Sequence, residues 1–294
     1  AECVPLVFVR PFAYSLAHLE AARKVGATGF LPRTTPEECL VDDAAAHLLH
    51  TVGTRVPLSR AFHRVAKANG VSLPQGLFAG LTADLNLIAS APHLLPRWLE
   101  MPDGHQVVGP VYANLPGEVP EFVTDLAAGP KPLVYFAVGS SGNRDLVLDV
   151  LRGLGRADCQ VLAPVRSHLH QEDLETLPLN IHVTDWIPTH QLGDAVDLAI
   201  THGGEGTVQT SCVQGWPFIG IPLQLEQRFN VQRCVAFGSA RLVSQKEARR
   251  ADWAALVREA LADDVMRSRA RRVAELMKGL DGPGRAAEAI CKLL

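Results

Sequence analysis

The stretch AVDLAITHGGEGTVQTSCVQG, Ala195 to Gly215, decides how the rest of the chain is read. Its first part, AVDLAI (Ala195 to Ile200), is a short apolar run of the kind that forms a buried strand. Its last part, TVQTSCVQG (Thr207 to Gly215), has a weak helical period and ends on a glycine, the usual helix stop. Between them lies THGGEGT, Thr201 to Thr207. A strand, a glycine-rich turn and a helix place free backbone N–H groups where they point at an anion. The helix dipole adds about 0.3–1 kcal/mol of preference for negative charge at such an end. The turn therefore reads as a cradle for a diphosphate.

Working outward, the composition bounds what such a cradle serves. The chain has 294 residues, 47% of them hydrophobic and 20% charged, which suits about two globular domains of ~100–200 residues each. A net charge of −3 argues against nucleic acid as a partner bound through a broad basic face. No apolar run approaches the ~18 residues of a spanning helix, and the richest, WPFIGIPL (Trp216 to Leu223), carries two prolines. The six cysteines, Cys3, Cys39, Cys159, Cys212, Cys234 and Cys291, form no CxxC pair and no zinc-ligand spacing. They are expected as free, mostly buried thiols in a reducing, cytoplasmic compartment.

Upstream, VPLVFV (Val4 to Val9) reads as a strand and Leu16 to Ala27 as an amphipathic helix, followed by an LPRTTPEE loop. Two more helical stretches lie near 43–53 and 58–69. LTADLNLIAS (Leu81 to Ser90) and HQVVGPVY (His105 to Tyr112) read as strands. The Pro- and Gly-rich segment that follows marks a domain boundary near residue 113. The second part, 114–294, alternates strand and helix. PLVYFAVG, QVLAPV, IHVTDW, DLAI and PFIGIP are its strands, and RDLVLDVLRGLG is the helix after the SSGN loop. That rhythm predicts an α/β fold with a parallel sheet whose loops gather at the carboxyl edge.

Four of those loops supply different chemistry to one edge. His202, Gly203, Gly204, Gly206 and Thr207 offer amides, a hydroxyl and an imidazole to an anion, and Ser140 adds a second hydroxyl. Trp186, read as ending a strand beside Pro188, offers a flat face for a nucleobase. Glu226 and Gln227, in the loop after Pro222, offer a carboxylate and an amide to sugar hydroxyls. Taken singly, His202 is an ordinary loop histidine, Trp186 a core residue and Glu226–Gln227 a solvated pair. Only the ordered set points to a site.

The set WIPTHQLGDAVDLAITHGGEGTVQTSCVQGWPFIGIPLQLEQRFNVQR, Trp186 to Arg233, resembles the donor-binding box of inverting, nucleotide-sugar-dependent glycosyltransferases of the GT-B fold. It is most similar to the bacterial natural-product (macrolide-type) branch of the UDP-glycosyltransferase family. The resemblance implies two Rossmann-like domains: an acceptor-binding one ending near 113 and a nucleotide-sugar-binding one over 114–294, with the last helix able to return to the first. It implies that Trp186 stacks on uracil or thymine and that Ile187 contacts the base edge. His202, Gly203, Gly204, Gly206, Thr207 and Ser140 would hold the diphosphate, and Glu226 and Gln227 the donor sugar. It implies a UDP- or dTDP-sugar as co-substrate, a small hydroxylated acceptor, no metal and no other cofactor, with a homodimer as an open expectation. Two positions depart from the pattern: Thr189 stands where the family often has Gln, and Thr210 where plant relatives have a ribose-binding Glu, leaving Gln209 as a substitute.

The family's general base is a His just after the first strand of the N-terminal domain, tuned by a more distant Asp. Neither that strand nor its loop is recognisable here, and the start AECVPLVFV resembles the middle of such a domain. The expectation is therefore an N-terminally truncated domain, with the base outside this chain. His18, in FAYSLAH, is the only early candidate, and its spacing does not match. A catalytically inactive or auxiliary GT-B protein remains the alternative, and an epimerase acting on the nucleotide sugar a weaker one.

Overall fold

The structure is a computed structural model that describes residues 5–10, 51, 55, 57–73, 83–95, 99–111 and 116–293. The chain divides into two compact units, residues 1–111 with 280–294, and residues 112–279.

In the first unit, β1 (Val7–Arg10) is followed by α1 (Arg60–Ala68), β2 (Leu85–Ile88) and β3 (His105–Val107). The strands form a parallel sheet in the order β1-β2-β3. Val4 lies outside the described residues, and Pro5 and Leu6 are not in the strand, so β1 starts later than the apolar run. β3 stops well short of Tyr112. Gly109 takes φ 106° and Pro110 has no N–H to donate to a ladder. The expected helices at 16–27 and, but for Thr51, 43–53, with the intervening loop, lie outside the described residues, as does His18.

The second unit carries a six-stranded parallel sheet. Its elements are α2 (Glu121–Ala128), β4 (Leu133–Ala137), α3 (Arg144–Leu154), β5 (Gln160–Ala163), α4 (Gln171–Leu174), β6 (Ile181–Val183) and β7 (Leu198–Thr201). Then follow α5 (Glu205–Gln214), β8 (Phe218–Gly220), α6 (Leu225–Phe237), β9 (Ala240–Leu242), α7 (Gln245–Ala248), α8 (Trp253–Leu261) and α9 (Asp264–Met277). The final helix, α10 (Gly282–Cys291), returns to the first unit. There Ala286 and Ala289 pack with Leu87 and Val108, and a Cβ on Gly282 would collide with the Pro110 carbonyl.

The strand order is β6-β5-β4-β7-β8-β9, the doubly wound arrangement with its reversal between β4 and β7. Both faces of the sheet are covered, so β4 and β7 are buried along their whole length. Val134, Phe136, Leu198, Ile200 and Ile219 share one core with Leu146 and Leu151 of α3 and with Trp253. Tyr135, Leu162, Ala199 and Phe218 are aligned in register and, by alternation, face the other way. Trp253 Nε1 donates to the Ala248 carbonyl at 2.9 Å, so the indole brings no unpaired donor into the core.

The structure differs from the sequence expectation at three places. β6 ends at Val183, so Trp186 sits in the following loop rather than at a strand end. Glu226 and Gln227 are not in a loop but in the first turn of α6. α5 begins at Glu205, two residues before the expected start, so Gly206 and Thr207 belong to the helix itself. β9 (Ala240–Leu242) is a further strand that the sequence pattern does not predict. Cys159, Cys212 and Cys234 are free and buried, and Cys291 is free and exposed. Burial pushes the Cys159 thiol up to about 11.

Candidate functional site

The reversal in strand order leaves a crevice at the carboxyl edge of the sheet, where loops from β4 and β7 diverge. A cavity of about 840 Å³ lies there, within the second unit. Its walls include Ser140 from the turn after β4, Trp186 and Ile187 from the loop after β6, and Gly206 and Thr207 from α5. The strand order brings these residues together although they span much of the sequence.

One wall is the start of α5. α3, α8 and α9 are capped by the side chains of Asn143, Asp252 and Asp263. α5 instead has Gly204 at its cap position, with no side chain to cap it. The first amides of such a helix point along its axis without intrahelical partners. Gly206 has open space where a Cβ would stand, so the backbone there is approachable. Glu205, at the first helical position, would oppose an anion. Its carboxylate is turned to Arg233, 3.3 Å away and almost wholly buried, and to Gln209 Nε2 at 3.0 Å.

The turn before α5 is shaped by close approach. Gly203 takes φ 85°, and a Cβ there would lie 2.8 Å from the Gln227 carbonyl. Asn230 Nδ2 donates to the Gly203 carbonyl at 3.1 Å, fastening the turn to α6. His202 is 6% exposed, and its ring packs between Gly139 and Gly204 rather than lining the cavity. Burial holds its imidazole below the usual histidine range, and Nδ1 has no hydrogen-bond partner among the described residues. A neutral ring in that position shapes both turns and contributes no positive charge.

The opposite wall carries Trp186, 54% exposed. It is backed by Gly117, where a Cβ would come within 3.3 Å of the indole, and Gln191 Nε2 donates to the Gly117 carbonyl at 3.0 Å. At the floor, Tyr135 Oη lies 3.2 Å from Thr189 Oγ1 and its ring meets Trp216. Burial raises the Tyr135 pKa, so the phenol stays protonated.

Other predicted residues are placed differently. Gln209 is buried against Glu205, and Thr210, one residue and about 100° further round the helix, lines the cavity instead. Thr189, the other departure, is also on the wall. Gln227 is 2% exposed, and its amide is already engaged. Oε1 accepts from the Leu223 and Gln224 amides, and Nε2 donates to Ser141 Oγ at 3.1 Å. Neither Gln227 nor the half-buried Glu226 is on the cavity wall. Sequence reasoning missed Tyr135, Arg166, Ser167, Asp185 and Trp216. Arg166 and Ser167 follow β5, so their position at this edge was open to the same argument that found Ser140.

The fold is that of an α/β protein of the GT-B class, by its likeness to solved structures. Residues 148–293 match the family model of the erythromycin biosynthesis protein CIII-like C-terminal domain, and the relatives that the chain resembles include glycosyltransferases. It is 29% identical over 192 residues to a PGL/p-HBAD biosynthesis glycosyltransferase of Mycobacterium tuberculosis (strain ATCC 25177 / H37Ra), covering 65% of this chain and 44% of that relative. It is 31% identical over 202 residues to the 4'-demethylrebeccamycin synthase of Lentzea aerocolonigenes, covering 63% of this chain and 47% of the relative. The chain thus spans about half the length of the curated relatives it matches. Among solved structures, the spinosyn forosaminyltransferase SpnP is similar over 98% of this chain and 69% of its own, with TM-score 0.63 and 15% identity. The glycosyltransferase VinC, solved in complex with dTDP, is similar over 79% of this chain and 57% of its own, with TM-score 0.60 and 18% identity. Among the described residues no helix is long and apolar enough to cross a membrane.

Proposed function

We propose that the cavity holds the nucleoside diphosphate of an activated sugar, and that the protein transfers a hexose from a UDP- or dTDP-sugar to a hydroxyl of a small natural-product acceptor. The transfer is inverting and independent of metal and cofactor. One observation carries this reading: the uncapped start of α5, the Ser140 turn and the exposed face of Trp186 converge on a single crevice at the sheet's reversal point. An anion cradle and an aromatic platform across one cavity suit a base at one end and phosphates at the other.

In this reading the base lies against Trp186, with the backbone of Ile187 at its edge. The amides of Gly206 and Thr207 and the hydroxyls of Thr207 and Ser140 take the diphosphate. His202, Gly203 and Gly204 act by holding the turn in shape. As the bond to the sugar breaks, charge grows on the diphosphate, and donors already aimed at it stabilise that charge without reorganising. Glu226, in the first turn of α6, is the group offered to donor-sugar hydroxyls, and Gln227 fixes the start of that helix against Ser141. The base that accepts the acceptor proton comes from outside the described residues. Free, buried thiols suit a reducing cytoplasm.

Calorimetric titration of the chain with UDP, dTDP and NAD tests the binding half of the proposal. UDP or dTDP binds and NAD does not. An absence of binding by both nucleoside diphosphates overturns the reading. Release of nucleoside diphosphate from a UDP- or dTDP-hexose, dependent on a hydroxylated acceptor, tests the transfer.

A further inference from the structure

The turn after β5 places Arg166 on the cavity wall. Among the described lining residues it is the only lysine or arginine. Its backbone N–H donates to the Thr184 carbonyl at 3.1 Å, which ties it to the loop bearing Trp186. Two residues on, His168 Nε2 and the Gly139 carbonyl are hydrogen-bonded at 2.7 Å, which ties the same turn to the one bearing Ser140. β5 lies between β6 and β4 in the sheet. Arg166 therefore stands between the aromatic platform and the anion cradle.

Among the described residues its head group is held but not neutralised. Nη1 donates to the Leu169 carbonyl at 3.2 Å and Nη2 to Gln171 Oε1 at 3.1 Å. Both partners are neutral, and they use two of the five N–H donors of a guanidinium. The carboxylate on this wall is Asp185, exposed on the β6 side next to Trp186. A cation at the middle station and a carboxylate at the base end sort a ligand by charge along its length.

Resting on the nucleotide reading above, we propose that Arg166 binds the phosphate nearest the nucleoside, so that the site selects phosphorylated nucleosides over nucleosides. A guanidinium paired with a phosphate gives short, charge-assisted hydrogen bonds that a neutral wall residue does not. The contribution is then present for a monophosphate and not for a nucleoside.

The test is calorimetric titration of the wild-type chain, Arg166→Gln and Arg166→Lys with thymidine, dTMP and dTDP, and with the uridine series. Arg166→Gln should weaken dTMP and dTDP alike, by about 10–100-fold, and leave thymidine unchanged. It should also flatten the salt dependence of dTDP binding, because one ion pair has gone. Arg166→Lys should recover part of the loss, since it restores the charge without the fork. The melting transition of each unliganded variant reports whether the fold survives. Should the glutamine variant not fold, the lysine variant carries the same comparison. The proposal is overturned if a folded variant weakens nucleoside and nucleotide equally, which assigns Arg166 to base or ribose, or if dTMP and dTDP bind it as they bind the wild type. Wild-type protein that binds nothing in either series overturns the nucleotide reading itself, a result distinct from both.

Discussion

Gly139 and His202 fit against each other so closely that a Cβ on Gly139, at φ 53°, would come within 2.8 Å of the imidazole Cε1. Gly139 opens the turn after β4 and His202 follows the end of β7, so the contact spans the point where the strand order reverses. Gly139→Ala would both strain the backbone and displace the ring. The expected cost is about 1–3 kcal/mol of stability, measured by denaturant unfolding, with weakened dTDP binding. A variant as stable as the wild type would show that the two turns do not depend on each other.

The buried His202 ring sets a pH dependence. Burial lowers its pKa in the folded state, whereas the unfolded chain protonates it near the ordinary value of about 6.5. Between those two values the unfolded state binds more protons, so stability falls as pH drops below about 6.5. His202→Ala loses packing, at about 0.5–3 kcal/mol, but also loses this part of the pH dependence. Unfolding midpoints at neutral and mildly acidic pH, for wild type and variant, check the sign. An equal fall in both proteins would contradict it.

Gly206 separates binding from folding. It lies in the first turn of α5 with open space at its missing Cβ, on the cavity wall. Gly206→Ala should keep or raise stability, by up to about 1 kcal/mol from helix propensity. Gly206→Leu should fold equally well and lose most nucleotide affinity, because its side chain enters the space proposed for the phosphates. Thermal melts and titrations on the same samples distinguish the two effects.

Stability away from the site rests on Trp253, which is 1% exposed, packs on Gly153 of α3 and donates to the Ala248 carbonyl. Trp253→Ala should cost about 3–5 kcal/mol, seen as a shift in denaturant midpoint. Trp253→Phe should cost less, since a phenyl ring still fills much of the space, although part of the indole's volume and its N–H donor to Ala248 are lost.

How far the sequence could be read depends on where side chains face. β4, β7 and β8 are covered on both sides, so their apolar runs stand out and were readable. β9 is three residues, Ala-Arg-Leu, at the sheet edge, too short and mixed to show a pattern. α6 buries Gln227, Asn230, Gln232 and Arg233, so polar residues occupy its inward face and hide the helical period. The cradle was legible because Gly203 and Gly204 are demanded by local geometry. The helix phase was not: a start two residues earlier turns Gln209 inward to Glu205 and Thr210 to the cavity. Arg166 belongs to no motif; its place after β5 puts it at the carboxyl edge, and the order of the strands sets it between the Trp186 loop and the Ser140 turn.

The most direct test of the central claim is a crystal structure of this chain with dTDP. The phosphates should lie against the amides of Gly206 and Thr207 and the Ser140 hydroxyl, with thymine across Trp186. Nucleotide bound outside this crevice, or bound in it with its phosphates at the Trp186 end, would rule out the start of α5 as the diphosphate site.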